Sequence, residues 1–312
     1  MKIDIYAHIM TEKYLKAYAK KAPKLLDNPE AKSKAVTDLE FRVRLMDRYP
    51  DVTQVLTISN PPLDYYVTPA QAADLAKIAN DELAEVVQKY PDKFLGAVAC
   101  VPMNNVPEAL KEIDRTIFQM GFKGIQIGAR VNGEPLSLPK FKPIWDKMAA
   151  CNLPIWIHPM TNTKYDLDIG IFSWPFETSM AMYHLVTAGV FDDHPDIKFI
   201  THHCGAMAPT FSDRIKWLVD NAPPREHVPG IRTRQFRQFY ADTALYGNTD
   251  GLMLGYQYFG PDHLLFATDA PLGPKYGLTL ETIKSIERMS IPEAEKEQIF
   301  SGNAVSLLRM AI

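Results

Sequence analysis

The stretch His263-Leu-Leu-Phe-Ala-Thr-Asp269-Ala-Pro271 decides how the rest of the chain is read. An apolar run of strand length stops on an acid, and a proline follows two residues on. A carboxylate at the end of a buried strand is costly unless something pairs with it. Three further apolar runs end in histidine, at His8, His158 and His202-His203. Packing gives no reason for four strand ends that each present a metal-type ligand. One metal at their meeting point does.

Outward from that stretch, short apolar runs alternate with amphipathic ones, the sequence form of repeated βα units. Strands are expected at Lys2–Tyr6, Val52–Ile58, Phe94–Val101, Gly124–Ile127, Ile155–His158, Ile197–Thr201, Phe239–Ala241 and His263–Thr268. Eight is the number that closes a parallel barrel. Helices are expected between them, at Asp38–Tyr49, Pro69–Tyr90, Val106–Gln119, Lys140–Ala150, Thr178–Ala188, Pro209–Val219 and Asn248–Tyr258. Thr279–Met289, Ala294–Phe300 and Asn303–Met310 follow the last strand. The expected architecture is α/β, a (β/α)8 TIM barrel with extra C-terminal helices, formed as a single domain over residues 1–312. An open doubly wound sheet shares the alternation, but no glycine-rich phosphate turn follows the first strand.

Composition narrows the function classes. The chain of 312 residues is 46% hydrophobic and 23% charged, enough for a large core. A net charge of −3 and a pI near 6.3 give no electrostatic case for nucleic acid or an anionic membrane. No run approaches the ~18 apolar residues of a membrane span. Cys100, Cys151 and Cys204 are odd in number and widely spaced, so neither a disulfide framework nor a CxxC site is expected. The chain runs from Met1 straight into a strand without a signal-like stretch. A cytoplasmic protein acting on a small molecule is expected.

Each strand end contributes chemistry. Tyr6 and His8 are two apart and point to the same side of the pleat. His158 ends the Ile-Trp-Ile run, and Asp269 occupies the same level on the last strand. Two neutral imidazoles and one carboxylate bind Zn, Mn, Co or Fe while leaving positions open. Of His202 and His203, alternation aims one at the barrel mouth, where it can move protons near neutral pH, and turns the other away. Cys204 reads as core. His184, His194, His227 and His263 read as solvated or capping groups. Two long connections, Asn60–Thr68 and Pro159–Thr178, lie on the carboxyl side of their strands, where barrel enzymes build their sites. The second carries Tyr165, Phe172, Trp174 and Phe176, which suit the cover of a flat substrate and equally a cluster packing the loop down.

These motifs, in this order, resemble the amidohydrolase-related superfamily. Within it they are most similar to the branch of aminocarboxymuconate-semialdehyde decarboxylase and the resorcylate-type aromatic acid decarboxylases. The resemblance covers nearly the whole chain. It rests on Ile-Asp-Ile-Tyr6-Ala-His8, Arg44-Leu-Met-Asp47 and Ile-His158-Pro159. Its strongest part is the run from Trp174-Pro-Phe-Glu177 through His194-Pro-Asp to Thr-His-His203-Cys-Gly205, with Asp242-Thr, Ala-Thr-Asp269-Ala-Pro and Gly302-Asn303-Ala completing it. The resemblance implies that His8, His158 and Asp269 are metal ligands and that His203, rather than His202, handles protons. It also implies a substrate-carboxylate contact at Arg44 and a homodimer or larger homo-oligomer; Trp174 and Phe176 of the aromatic connection are expected as substrate contacts, and Tyr6 as a weak ligand, an inward-packing aromatic or, in preference, a group behind the ligands or a hydrogen-bond donor to substrate. One departure stands out: the usual first-strand motif is His-x-His, and here its first member is Tyr6, a phenol that binds metal poorly while it keeps its proton.

The implied function is a metal-dependent decarboxylase of a small aromatic or enoic carboxylic acid. It would use one divalent metal, zinc first and manganese or cobalt next, and no organic cofactor. Catalytic roles fall to His203 and Asp269. The same residues would serve a hydrolase of a small ester, lactone or amide, with metal-bound water attacking a carbonyl. A barrel that only binds a ligand is the third reading.

Overall fold

The computed structural model describes residues 1–160, 170–220 and 233–311. Strands form at β1 Lys2–Ile9, β2 Val52–Ile58, β3 Phe94–Ala97, β4 Ala99–Cys100 and β5 Ile125–Gly128. A short antiparallel hairpin, β6 Arg130–Val131 with β7 Glu134–Pro135, leaves the ring. The remaining strands are β8 Ile155–His158, β9 Phe199–Thr201, β10 Tyr240–Asp242 and β11 Leu264–Leu265. All neighbouring pairs in the main sheets are parallel, in the orders β1-β2-β3 and β11-β10-β9-β8-β5-β4. Val98 joins β3 to β4 and donates its N–H to Leu56 O at 2.9 Å, so the two segments share one place in the ring.

The ring closes between its last and first strands. Ile5 N donates to Phe266 O at 3.0 Å and His8 N to Ala270 O at 2.7 Å. Eight strand positions in a closed parallel ring make a TIM barrel. Strands such as β8, Ile-Trp-Ile-His, are buried at every residue, as expected where helices cover one face and the barrel interior the other.

Two apolar layers result. Inside the barrel, Ile3, Ile5, Val55, Val98, Trp156, Ile200, Leu265 and Ala267 pack together. Trp156 gives its indole N–H to Ile5 O at 3.0 Å, so its polar end is not stranded. Leu307, Leu308 and Met310 join the same cluster and close the amino-terminal end. Helices pack outside. The longest, Pro69–Lys89, starts from a capping box in which Thr68 and Gln71 satisfy each other's backbone N–H groups, and it buries Ala72, Leu75, Ala76, Ala79, Leu83 and Val86.

The expected eight-strand order holds, with shifted ends. The first strand runs to Ile9, three residues beyond the expectation, which carries His8 within regular structure. The last is regular only at Leu264–Leu265, and His263 sits in a 3-10 turn. Beyond it, side chains take over from ladder partners. Thr243 Oγ1 accepts from Ala267 N at 2.9 Å and Asp4 Oδ1 accepts from Thr268 N at 3.0 Å. The helix expected from Thr178 begins at Ser173, so Trp174 and Phe176 stand on its first turn rather than in a loop. Tyr165 and His227 lie outside the described residues.

Candidate metal centre

Asp269 owes its position to a buried polar clasp at the barrel seam. Asp4, on β1, is fully buried. Its carboxylate accepts from Thr268 N, from Thr268 Oγ1 at 2.6 Å and from Gln54 Nε2 at 3.1 Å. Arg42 lies beside it, buried as well, donating to Gln54 Oε1 at 2.9 Å and to Ala270 O at 3.2 Å. The residues on either side of Asp269 are therefore held by side chains from β1, β2 and the helix Leu39–Met46. Asp269 itself takes a left-handed backbone, φ 61°. That conformation is costly for a non-glycine residue and persists only where its surroundings enforce it.

From this seam, five side chains converge. His8 Nε2 lies 3.1 Å and His202 Nε2 3.4 Å from Asp269 Oδ1. Ligand atoms of His8, His158 and His202 all fall within 4.8 Å of one another, and so do those of His202, His203 and Asp269. The opposite nitrogen of each buried ring is held. His158 Nδ1 donates to Pro159 O at 2.8 Å, His8 Nδ1 pairs with Thr57 Oγ1 at 3.0 Å, and His202 Nδ1 pairs with Asp242 Oδ2. A backbone carbonyl only accepts, so His158 carries its proton on Nδ1 and turns a bare lone pair inward.

Buried polar atoms are nearly always hydrogen-bonded, so orphans need a reason. Here Nε2 of His8, His158 and His202 and Oδ1 of Asp269 are all buried without a hydrogen-bond partner, and all face the same point. Imidazoles oriented from behind and bare in front have the form of a metal centre. The residues present fit a divalent cation.

The local charges follow from the same contacts. Burial, then the neighbouring His8 and His202, hold His158 well below its ordinary value and keep it neutral. Burial opposes the charged form of Asp269 too, but the close imidazoles of His202 and His8 outweigh it and hold its carboxyl well below the usual range. Burial likewise disfavours charge on His202, yet Asp242 and Asp269 push it up to about 10. Burial and the adjacent His202 bring His203 down to about 3.

A cavity of about 830 Å³ opens beside this cluster. His203, Trp174, Met160, Tyr246 and Leu272 line it, with Tyr65 and Tyr66 from the connection after β2. Lys24, Asp27, Asn28 and Glu30, from short helices between β1 and β2, form a further wall. Trp174 stacks on His203 with ring centres 6.3 Å apart. Tyr246 reaches the centre itself, its hydroxyl donating to Asp269 Oδ2 at 2.9 Å. Glu30, part of this wall, has its carboxyl pushed up to about 8 by burial and, to a lesser degree, by Asp269, against the lowering hydrogen bond from Ser59.

Several expectations meet a different placement. His202 does not turn away. Regular β9 ends at Thr201, and His203 and Cys204 take left-handed backbones, φ 53° and 54°. Strand alternation therefore does not extend past Thr201, and both histidines face the centre, stacked at 3.9 Å. Arg44 is exposed, lies over the Phe41 ring at 5.9 Å and does not line the cavity. Tyr6 is fully buried behind His202, stacked on it at 4.3 Å, and lines no part of the cavity. Phe176 is exposed and does not line the cavity, whereas Trp174 forms cavity wall. Cys204 is core, as expected. Glu30, Tyr246 and Asp242 were not singled out from the sequence as site residues. Asp242 had a signal, an acid closing the seventh strand in the same way that Asp269 follows the eighth.

A family model described as amidohydrolase matches residues 3–310. Among curated proteins, a gamma-resorcylate decarboxylase from Polaromonas sp. is 30% identical, aligning over 99% of this chain and 98% of its own. A 2-amino-3-carboxymuconate-6-semialdehyde decarboxylase from Dictyostelium discoideum is 28% identical over 87% of this chain and 76% of its own. Among solved structures, a dihydroxybenzoic acid decarboxylase from Polaromonas sp. JS666, with bound manganese and the inhibitor 2-nitroresorcinol, superposes with a TM-score of 0.83. It is 27% identical, and the match covers 100% of this chain and 97% of that one. Among the described residues, no helix is long and apolar enough to cross a membrane.

Proposed function

The chain belongs to the amidohydrolase family and is a metal-dependent carboxy-lyase, and from that premise we propose that its substrate is a small hydroxylated aromatic carboxylic acid or a related enoic acid. One observation carries the reading. Bare ligand atoms of His8, His158 and His202 lie within 4.8 Å of one another, Asp269 Oδ1 lies 3.1 Å from His8 Nε2, and the adjacent His203 lines a cavity walled by Trp174, Tyr65, Tyr66 and Leu272. A flat ring matches that shape, and its carboxylate matches a divalent cation. The relatives that act on dihydroxybenzoic and carboxymuconate acids support the same class.

His8, His158 and Asp269 would hold a divalent metal, for which manganese, zinc and cobalt all suit two imidazoles and a carboxylate. When bound, it supplies positive charge that orients the acid and stabilises charge developing on it. The chain's own groups do the rest. Trp174 and the tyrosines hold the ring flat and keep water from its faces. His203 lines the cavity as a neutral imidazole with Nδ1 buried and unpartnered, so it can take a proton from a substrate hydroxyl and return it to the carbon bearing the carboxylate. Asp269, beside it, is the other group able to move that proton. With carbon protonated, the bond to the carboxylate breaks and CO₂ leaves. The bonding pair returns to the ring, which is left as the phenolate.

The experiment is a panel of hydroxybenzoates, carboxymuconate-like acids and simple esters, lactones and amides, assayed with manganese, zinc and cobalt. CO₂ release from an acid, abolished by Asp269→Asn, is the expected result. Hydrolysis of an ester, lactone or amide without any decarboxylation would overturn the reading.

A further inference from the structure

We propose that His202 is itself a metal ligand, so that the centre is His8, His158, His202 and Asp269. This rests on the metal reading above and adds to it a residue that strand alternation had turned away from the site.

Its geometry is that of the other ligands. The ring is fully buried, and its Nε2 has no hydrogen-bond partner. That atom lies within 4.8 Å of the ligand atoms of His8 and His158 and 3.4 Å from Asp269 Oδ1. Ring centres of His158 and His202 are 5.5 Å apart, close to the 4.9 Å between His8 and His158. The three imidazoles therefore surround one point from β1, β8 and the end of β9.

The support behind His202 is also that of a ligand. Its Nδ1 pairs with Asp242 Oδ2, while Asp242 Oδ1 is pinned by the N–H groups of Cys204 at 3.1 Å and Ala244 at 3.0 Å. A carboxylate fixed by two backbone donors holds the imidazole in one orientation and one tautomer, with the lone pair of Nε2 forward. Tyr6 completes the arrangement from the far side, its ring nearly parallel to His202 at 4.3 Å and 14°. In this arrangement Tyr6 fixes the plane of a ligand. The competing role is an imidazolium that only bridges Asp242 and Asp269. It would leave the metal with two imidazoles, not three.

The test uses the full chain loaded with manganese or cobalt and needs no substrate. X-ray absorption should count three imidazoles on the wild-type metal and two on that of His202→Ala. Chelator competition should show His202→Ala binding metal more weakly by more than the roughly 10- to 100-fold that loss of an outer partner costs, and Asp242→Asn by about that amount. Two imidazoles in the wild type, or unchanged affinity and spectrum in His202→Ala, would overturn the proposal while leaving the metal reading intact. A wild-type chain that takes up no metal would overturn both. If His202→Ala fails to fold, the wild-type count and Asp242→Asn still decide.

Discussion

Tyr246→Phe removes one hydroxyl and little else, so its effect can be worked out in advance. That hydroxyl donates to Asp269 Oδ2 at 2.9 Å, while Oδ1 faces His8 and His202. The bond thus fixes which oxygen the carboxylate turns toward the metal. A hydrogen bond to a charged group is worth roughly 1.5–3 kcal/mol. Tyr246 is 40% exposed, so water can replace part of the lost donor, and the lower end of that range applies. About 1.4 kcal/mol is tenfold, so kcat/KM should fall by about tenfold. Because the phenol acts through Asp269, metal affinity should weaken as well. The assay pairs steady-state kinetics on the acid selected by the panel with chelator competition. A rise in KM alone, with kcat and metal affinity unchanged, would show that Tyr246 merely lines the cavity, and the reasoning would fail.

His203→Ala should retain the metal and lose about 10²- to 10⁴-fold in kcat, measured by metal analysis and turnover on the same preparation. Gly255→Ala would set a Cβ 2.2 Å from Cys204 Sγ, an overpacking expected to cost about 1–3 kcal/mol and lower the melting temperature; Cys204→Ala in the same chain should recover part of it. Glu30 has a folded pKa of about 8 against an ordinary 4.5, so between those values the native state holds a proton that the unfolded chain has lost, and stability falls as pH rises through that window. Glu30→Gln should flatten that slope by about 1–2 kcal/mol between pH 5 and 8, a figure reduced because the residue is partly exposed; urea titrations at fixed metal concentration measure it.

The barrel was legible because its signals are local. Each buried strand is a short apolar run, and each ligand stands near the carboxyl end of its run, as His8, His158 and Asp269 do. Alternation failed at His202-His203, because left-handed residues after Thr201 let neighbours face the same way. The clasp of Asp4, Gln54, Arg42 and Thr268 joins residues more than 200 positions apart, and no spacing rule reveals it. Arg44 drew attention through its motif, while Arg42, two residues earlier, is the buried one. Glu30 lies on a helix of a single turn and Tyr246 in a turn, both too short for a period to show where the side chain points.

The most direct measurement follows one turnover of the selected acid, labelled with ¹³C in its carboxylate, in D₂O. Enzyme stripped by chelator is compared with enzyme reloaded with manganese. The account predicts one ¹³CO₂ for each product molecule, with one deuterium on the carbon that held the carboxylate, and only after reloading. Equal turnover by the stripped enzyme, or a product that keeps its ¹³C, would contradict it.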